Sequence, residues 1–147
     1  MRSGTLNVPG IVGFGMACEI AQTKLGSETE RLTRLRSQLE TGFLDLGIQI
    51  NGGSVSRLPH CTNITFPDIE GEKMILEASS QVAFSQSSAC TSATIRPSHV
   101  LKAMGIPEDL IQNSFRFSTG RFTTEQEINH SISVISKIVK AHRSERN

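Results

Sequence analysis

The chain contains no Trp and no Tyr, so its seven aromatic residues are all Phe. Few side chains are left to stack on bases, and single-strand nucleic-acid binding on aromatic platforms therefore has little support. The 147 residues also lack an excess charge of one sign, since the formal net charge is +1. Near-neutral charge argues against a dedicated nucleic-acid binder. No apolar run approaches the ~18 residues that a membrane-spanning helix needs, and no such helix is predicted.

Cysteine is scarce as well, with three residues, Cys18, Cys61 and Cys90, spread along the chain. An odd number of widely spaced cysteines is typical of a reducing compartment rather than of a disulfide scaffold. The N-terminus lacks the long apolar core of a signal peptide, so we expect a cytoplasmic domain. None of the four histidines has metal-ligand spacing with the cysteines, and no metal site is predicted.

Helical spacing dominates both ends of the chain, whose length suits one domain with a hydrophobic core. The N-terminal helix is predicted to start at an Asn7 cap, and Gly26-Ser27 predicts an interruption in it. Beyond that point a single apolar stripe is made of Leu32, Leu35, Leu39, Phe43 and Leu46. A last helix is predicted from a cap at Thr123 or Thr124. Its apolar stripe is Ile128, Ile132, Ile135 and Val139.

The sequence pattern in the middle of the chain predicts short strands and short helices. Apolar and β-branched runs bounded by turn residues predict strands at 48–50, 63–66, 82–84 and 114–118. Short helices are predicted at 70–79, 97–104 and 107–111. Separated strands mixed with helices predict an α+β fold, with a long N-terminal helix region and a small sheet covered by helices.

A polar connector at residues 85–94 separates the third predicted strand from the helix that follows it. It consists almost only of small polar residues, which is typical of a mobile loop whose thiol, Cys90, is accessible. A thiol attacks well only as a thiolate, so it needs a base or positive neighbours; Arg96 and His99 are the nearest in sequence. Taken alone, the pattern also fits a Ser/Thr-rich connector that holds an incidental cysteine.

Arg116 is the second candidate functional residue. It alternates with Phe115 and Phe117 in the last predicted strand, so it is expected to face outward. An outward arginine can hold a carboxylate in a bidentate grip, although an arginine on a solvated face gives the same pattern. Cys18 and Cys61 are interpreted as small buried hydrophobic residues rather than nucleophiles.

Four motifs stand in an order that is similar to the C-terminal part of the cysteine desulfurases. They are Arg2-Ser3-Gly4-Thr5, Ser88-Ala89-Cys90-Thr91-Ser92, Pro97-Ser98-His99-Val100-Leu101 and Arg116-Phe117-Ser118-Thr119-Gly120-Arg121-Phe122-Thr123-Thr124-Glu125. The resemblance runs through residues 2–140. It is to the branch of the class-V aminotransferases that carries a long mobile loop.

The resemblance implies the small C-terminal domain of a fold-type-I enzyme that uses pyridoxal 5'-phosphate. Such enzymes take sulfur from L-cysteine and release L-alanine, for iron–sulfur cluster assembly or tRNA thiolation. By resemblance, Cys90 is the catalytic nucleophile that carries the sulfur as a persulfide, and Arg116 binds the substrate carboxylate. Thr5 matches a threonine that reaches the cofactor phosphate of the neighbouring subunit in a homodimer.

The resemblance also implies that residues 1–147 form a single C-terminal small domain with its linking helix. The large cofactor-binding domain, with the lysine that anchors the cofactor, is then absent from this chain, and the isolated chain is expected to be inactive. An exposed apolar face is expected where that domain packs. The expected partner is a sulfur-acceptor or iron–sulfur scaffold protein, with no nucleic acid and no membrane. A non-catalytic sulfur-relay or partner-binding domain, or an inert fragment, is the alternative.

Overall fold

Long helices flank a small sheet in the part of the chain that the structure, a computed structural model, describes, which is residues 3–86 and 97–145. The described strands are β1 (Gln49–Ile50), β2 (Cys61–Thr65), β3 (Ser85–Gln86) and β4 (Ser114–Ser118). The described helices are α1 (Val8–Gly42), α2 (Gly71–Ala78), α3 (His99–Ala103), α4 (Glu108–Ile111) and α5 (Glu125–Glu145), with a 3₁₀ turn at Leu44–Leu46. The strands pair antiparallel in the order β1-β2-β4-β3, and the predicted α+β fold is confirmed.

The main core lies between one face of the sheet and helices α1, α2 and α5. Phe115 and Phe117 of β4 point into it, as their alternation with polar residues predicts. The ring of Phe43, at the end of α1, lies 5.5 Å from that of Phe66 and 5.8 Å from that of Phe117, measured between centroids. The first pair is edge-to-face and the second is tilted, and such ring contacts add to the burial of apolar area, so these rings fix α1 against the sheet.

Helix α1 is continuous across Gly26 and Ser27, so the predicted interruption there is wrong. The Ser27 hydroxyl donates to the carbonyl of Lys24 at 3.2 Å, which satisfies the hydroxyl within the helix instead of starting a new one. At the predicted start of the helix, the side-chain oxygen of Asn7 accepts from the Gly10 amide at 3.1 Å. The Asn7 cap is therefore confirmed.

The predicted strand at 82–84 is also wrong, because the chain there continues the turn that ends α2. The amides of Gln81 and Val82 both donate to the carbonyl of Ala78, at 2.9 Å each. An amide used in this turn cannot join a sheet ladder, and the strand forms later, at Ser85–Gln86.

A capping box starts α5, as the Thr124 alternative predicts. The Glu127 amide donates to the Thr124 hydroxyl at 3.2 Å, and the Thr124 amide donates to the Glu127 carboxylate at 2.8 Å. The hydrogen bonds from the backbone and hydroxyl of Thr124 lower the pKa of Glu127. The stripe predicted for this helix packs in the core, with Ile135 and Val139 fully buried.

The environment of α1 changes along its length. Leu35 and Leu39 are buried in the core, whereas apolar residues in the earlier turns lie in solvent. Cys18 lies in those earlier turns and is exposed, so its interpretation as a buried residue is wrong; Cys61 is half-buried. Across residues 3–86 and 97–145, no helix is both long and apolar enough to cross a membrane.

Candidate functional site

Arg116 is exposed in the middle of β4, on the sheet face opposite the main core. Its neighbours Phe115 and Phe117 are buried on the other face, and the alternation of the strand therefore directs Arg116 outward. This position was predicted from the sequence and is confirmed. The Arg116 guanidinium has no hydrogen bond or ion pair to another described residue.

Other described arginines are engaged in structural contacts. Arg57 donates to both carboxylate oxygens of Glu40, at 2.7 and 3.3 Å. Arg143 donates to the carbonyl of Leu46 at 2.6 Å, and Arg31 donates to several backbone carbonyls. The guanidinium of Arg116 has no such structural use among the described residues. Its fork of donors is thus suited to a carboxylate or phosphate from outside the chain.

Polar side chains flank Arg116 on both neighbouring strands. Asn63 of β2 and Ser85 of β3 are its register partners, so the order across the sheet is Asn63, Arg116, Ser85. Cys61 is paired with Ser118 on the same face, and the Ser118 hydroxyl lies 3.9 Å from its sulfur. We refer to Asn63, Arg116 and Ser85 as the polar row.

A buried hydrogen-bond network supports one end of this row. The side-chain amide of Asn51, a residue that is 5% exposed, donates to Asn63 Oδ1 at 2.6 Å and to the Thr65 hydroxyl at 2.8 Å. The Thr65 hydroxyl lies 2.7 Å from that of Ser114, which donates to the carbonyl of Leu110 at 2.9 Å. The network ties β1, β2, β4 and α4 together beneath the site.

The sequence did not identify Asn63, Ser85 or Asn51 as site residues. Asn51-Gly52 is recognisable as a turn, and Gly52 does have a positive φ of 71°. The pairing of Asn63 and Ser85 with Arg116 depends on strand register, however, which joins segments far apart in the chain. No local pattern could have found it.

The structure does not bring all the predicted site residues together. Thr5 is exposed ahead of α1, while α1 reaches the sheet only near Leu35 and Leu39. At 1.5 Å per residue, the helix between these points is roughly 40 Å long, so Thr5 is remote from Arg116 of its own chain. Cys90 lies outside the described residues, and its role stays a prediction. Within those residues no group of His, Cys, Asp and Glu side chains could hold a metal ion.

Comparison with known proteins gives a consistent result. Residues 1–130 match the family described as Aminotransferase class-V. A curated protein named Cysteine desulfurase IscS, from Anaeromyxobacter sp. (strain Fw109-5), is 48% identical over 145 residues, which are 97% of this chain and 35% of that protein. Cysteine desulfurase IscS from Escherichia coli O139:H28 (strain E24377A / ETEC) is 44% identical over 140 residues, 95% of this chain and 34% of that protein.

Solved structures give the same result for the fold. A NifS-like protein superposes with a TM-score of 0.78 at 34% identity, over 95% of this chain and 35% of that one. A NifS-like protein from Rickettsia africae ESF-5 superposes with a TM-score of 0.80 at 27% identity, over 95% of this chain and 36% of that one. The chain thus spans little more than a third of the length of these relatives.

Proposed function

Because the chain belongs to the aminotransferase class-V family, we propose that it is the C-terminal portion of a cysteine desulfurase. The family depends on pyridoxal 5'-phosphate. In this proposal sulfur from L-cysteine passes to Cys90 as a persulfide, and L-alanine is released. An acceptor or iron–sulfur scaffold protein then takes the sulfur, in the cytoplasm, for cluster assembly or tRNA thiolation.

Two described lysines, Lys73 and Lys102, are paired with carboxylates. An anchoring lysine must lose its proton to bond a carbonyl carbon. A hydrogen bond from Lys73 to Glu145 raises the pKa of that lysine, and a hydrogen bond to Glu108 does the same for Lys102. These two ammonium groups do not fit an anchor. The chain spans only about 35% of the relatives that it matches, and we propose that a large domain, corresponding to the rest of their length, supplies the lysine.

Thr5 and Arg116 do fit groups that the reaction must hold. The Thr5 hydroxyl is an exposed donor of the kind that binds a phosphate. Because Thr5 is remote from Arg116 of its own chain, we propose that it contacts the cofactor phosphate in the site of a second subunit. The Arg116 guanidinium suits the carboxylate of L-cysteine. When bound, pyridoxal phosphate supplies the electron withdrawal that weakens the bond between the substrate carbon and sulfur. Within this chain, Arg116 orients the substrate, and the Cys90 thiolate bonds to its sulfur.

The observation that carries this proposal is Arg116 in its polar row. It is an arginine without a described partner, on a sheet whose described strands contain no Asp or Glu. A carboxylate ligand therefore meets no competing side chain on the same strands.

An apolar surface on the early turns of α1 supports the inferred large domain. We define the α1 apolar surface as the exposed side chains Val8, Ile11, Val12, Phe14, Met16, Ile20 and Leu25. Next to it is a groove of about 400 Å³ that Ala17, Ala21 and Leu32 help to line. A concentration of exposed apolar side chains of this kind marks an interaction site. We propose that the large domain packs here, as a domain of the same chain or of another chain.

The first test measures alanine formation from L-cysteine, with pyridoxal phosphate and reductant, after the chain is combined with a lysine-bearing large domain. We expect alanine only from the combination. Cys90→Ser should abolish sulfur transfer and leave the fold intact. Arg116→Ala should raise KM strongly, whereas Arg34→Ala, at another exposed arginine, should not. Absence of alanine from the wild-type combination would instead favour a sulfur-relay domain or an inert fragment.

A second test addresses the α1 apolar surface. Met16→Lys places a charge in it and should weaken association with the large domain in sedimentation experiments, without lowering the melting temperature of the isolated chain. Leu76→Lys is the matched control, because Leu76 is 77% exposed on α2, away from this surface. Equal association of both variants would contradict the proposed packing.

A further inference from the structure

We propose that an extended segment of the large domain pairs with the open end of β4, at Ser118, and places an apolar side chain in the adjoining groove. This inference rests on the proposed function, because it assumes that a large domain completes the enzyme. It names a second contact between the two parts, separate from the α1 apolar surface.

The backbone of Ser118 points away from β2. The Thr119 amide donates to the His60 carbonyl at 2.8 Å. At the other end of the same pair of strands, the Phe66 amide donates to the Asn113 carbonyl at 3.0 Å. Hydrogen-bonding groups of successive residues in an antiparallel strand point to opposite neighbours, so the odd-numbered residues from 113 to 119 bond towards β2. The amide and carbonyl of Ser118 therefore point to the side that β3 occupies.

Among the described residues, no strand covers this end of β4. The register of β3 with β4 would place Ala83 opposite Ser118, but β3 begins only at Ser85. The preceding residues follow the turn that ends α2, and no backbone hydrogen bond joins Ala83 to Ser118 in the described part of the chain. Ser118 thus offers an unpaired backbone donor and acceptor, which is the template that an extended peptide uses when it adds to a sheet.

A groove of about 630 Å³ lies beside this open end, and we call it the β4 groove. Val82, Ala83 and Ser118 line it where the chain does not reach β4. Leu39 of α1 and Ile128 of α5 also line it, and both belong to the main core. The groove therefore leads from an open sheet edge to apolar side chains, and a small apolar group fits its inner end.

Strand alternation places one side chain of an added segment in the β4 groove. Phe117 lines the groove and points into the main core. A residue beside Phe117 on an added strand points to the same sheet face, where Leu39 and Ile128 lie. The flanking residues of that segment point to the opposite face, which carries Arg116. The segment is thus expected to be extended, with an apolar residue between two that face the site.

The length of the relatives favours the large domain as the source of this segment. The chain spans 35% and 34% of the two curated relatives compared, so about two-thirds of their length has no counterpart here. Among its described residues, a second copy of this chain offers as free edges only β1 and β3, of two residues each. A contact at β4 would also fix the orientation of the large domain, which one patch on a single helix does not.

Hydrogen exchange followed by NMR tests the added strand at a single amide. The probe is a large domain made from the part of a curated relative that this chain does not match. The Ser118 amide should exchange quickly in the isolated chain, and binding of the large domain should slow it by about a hundredfold or more. The Phe117 amide, which faces β2, should exchange slowly in both states. Unchanged exchange of Ser118 in a complex that does form would overturn the inference.

Ser118→Pro removes the amide that the added strand would use and leaves the amides that bond to β2. Proline is tolerated in a strand where its nitrogen faces an open edge. We expect the Kd for the large domain to rise by about tenfold in sedimentation experiments, as for one lost hydrogen bond. Ser118→Ala is the matched control, because it keeps the amide and should bind like wild type. Equal binding of these two variants would count against the added strand.

A second variant blocks the β4 groove without changing β4, in case Ser118→Pro lowers the melting temperature of the isolated chain. Ala83 is exposed and lines the groove, so Ala83→Trp fills it and should also raise the Kd by about tenfold. Ser80→Trp is the matched control, since Ser80 is exposed in the same turn and is not part of the lining. Equal binding of the two tryptophan variants would show that the large domain does not enter the groove.

The outcomes separate this inference from the proposed function. If the combined enzyme forms alanine while the exchange of Ser118 stays unchanged, the inference is overturned and the function stands. If Ser118 is protected in the complex but no alanine forms, the added strand stands and the function falls. Protection that appears in the isolated chain as its concentration rises would assign the β4 groove to a second copy, and absence of any association would leave no added strand; either result overturns the inference.

Discussion

In residues 8–30 of α1 the apolar side chains lie in solvent, whereas in residues 31–42 they lie in the core. Phe14 is 72% exposed and Leu25 is 68% exposed, while Leu35 and Leu39 are 3% and 2% exposed. Both parts belong to one uninterrupted helix, and apolar residues recur at helical spacing in both. Sequence periodicity therefore describes which residues share a face, but not whether anything covers that face.

The difference shows where the stability of this chain originates. Helical stability in proteins comes mainly from packing of an apolar face rather than from intrinsic propensity. The later part of α1 packs on the sheet and on α5, whereas the earlier part has few contacts of its own. We expect the earlier part to contribute little to the unfolding free energy of the isolated chain. Its apolar side chains should contribute to stability only when they are buried against the large domain.

The largest expected effect comes from a matched pair of leucines. Leu39→Ala should lower the free energy of unfolding by about 2–5 kcal/mol, because it removes a buried side chain and leaves a cavity. Leu25→Ala should change it by less than about 0.5 kcal/mol, since the side chain is already in solvent. Urea unfolding followed by circular dichroism measures both. Similar losses for the two variants would mean that the earlier turns have a packing partner in the isolated chain.

A pair of glycines tests the same contrast by adding volume. A Cβ at Gly42 would lie 2.5 Å from Ile132 Cδ1 on α5, whereas a Cβ at Gly26 would meet nothing within 4 Å. Gly42→Ala should therefore destabilise the chain by about 1–3 kcal/mol through overpacking. Gly26→Ala should have no cost and should raise helicity, because alanine is favoured over glycine by about 0.5–1 kcal/mol in a helix. In thermal unfolding, Gly42→Ala should lower the melting temperature, whereas Gly26→Ala should raise it or leave it unchanged.

Local sequence signals predicted the elements that depend on local chemistry. The alternation at Ser114–Ser118 gave β4 with the observed bounds, and Thr124 with Glu127 forms the cap of α5. The errors occur where backbone bonding overrides local preference, as at Val82, whose amide bonds to Ala78. The outward position of Arg116 was predictable from period-two alternation.

The rest of the candidate site depends on long-range register. Asn63 is paired with Arg116 across many intervening residues, and Ser85 approaches from a third strand. Neither residue type is unusual in its own segment. Register follows from the global packing of Phe115 and Phe117 against the helices, and a local reading of the sequence cannot supply it.

Arg31 lies at the boundary between the two parts of α1 and should show an intermediate effect. It donates to the carbonyls of Gly120, Arg121 and Thr123, at 3.0, 2.8 and 2.7 Å, and so ties α1 to the loop after β4. Arg31→Ala should cost about 1.5 kcal/mol of unfolding free energy and should increase hydrogen exchange in that loop. Arg34→Ala, one turn later and exposed, should cost less than about 0.5 kcal/mol. If hydrogen exchange in the loop after β4 were unchanged in Arg31→Ala, the result would contradict the proposed link between α1 and this loop.

The smallest expected effect is a pH dependence of the unfolding free energy that arises at Glu40, in the part of α1 (residues 31–42) that packs in the core. Burial raises the pKa of Glu40, but hydrogen bonds from Arg57 and Thr62 and the charges of Arg57 and Arg36 outweigh it, so the pKa lies below its usual value of 4.5. A carboxylate with a lowered folded-state pKa contributes stability above its unfolded pKa, and this contribution is lost as the pH falls through the folded value.

Glu40→Gln should therefore lower the unfolding free energy by about 1 kcal/mol at neutral pH and converge with wild type in acid, because its amide still accepts from Arg57 without a charge. Glu19→Gln, in the early turns of α1, should change the unfolding free energy by less than about 0.5 kcal/mol at neutral pH, since Glu19 is exposed and has no ion pair among the described residues. Urea unfolding between pH 7 and about pH 3 measures the difference. If the Glu40→Gln and wild-type curves stayed parallel down to that pH, the Arg57 contact would contribute through its packing and not through its charge. The contrast between the two parts of α1 would then be one of apolar burial alone.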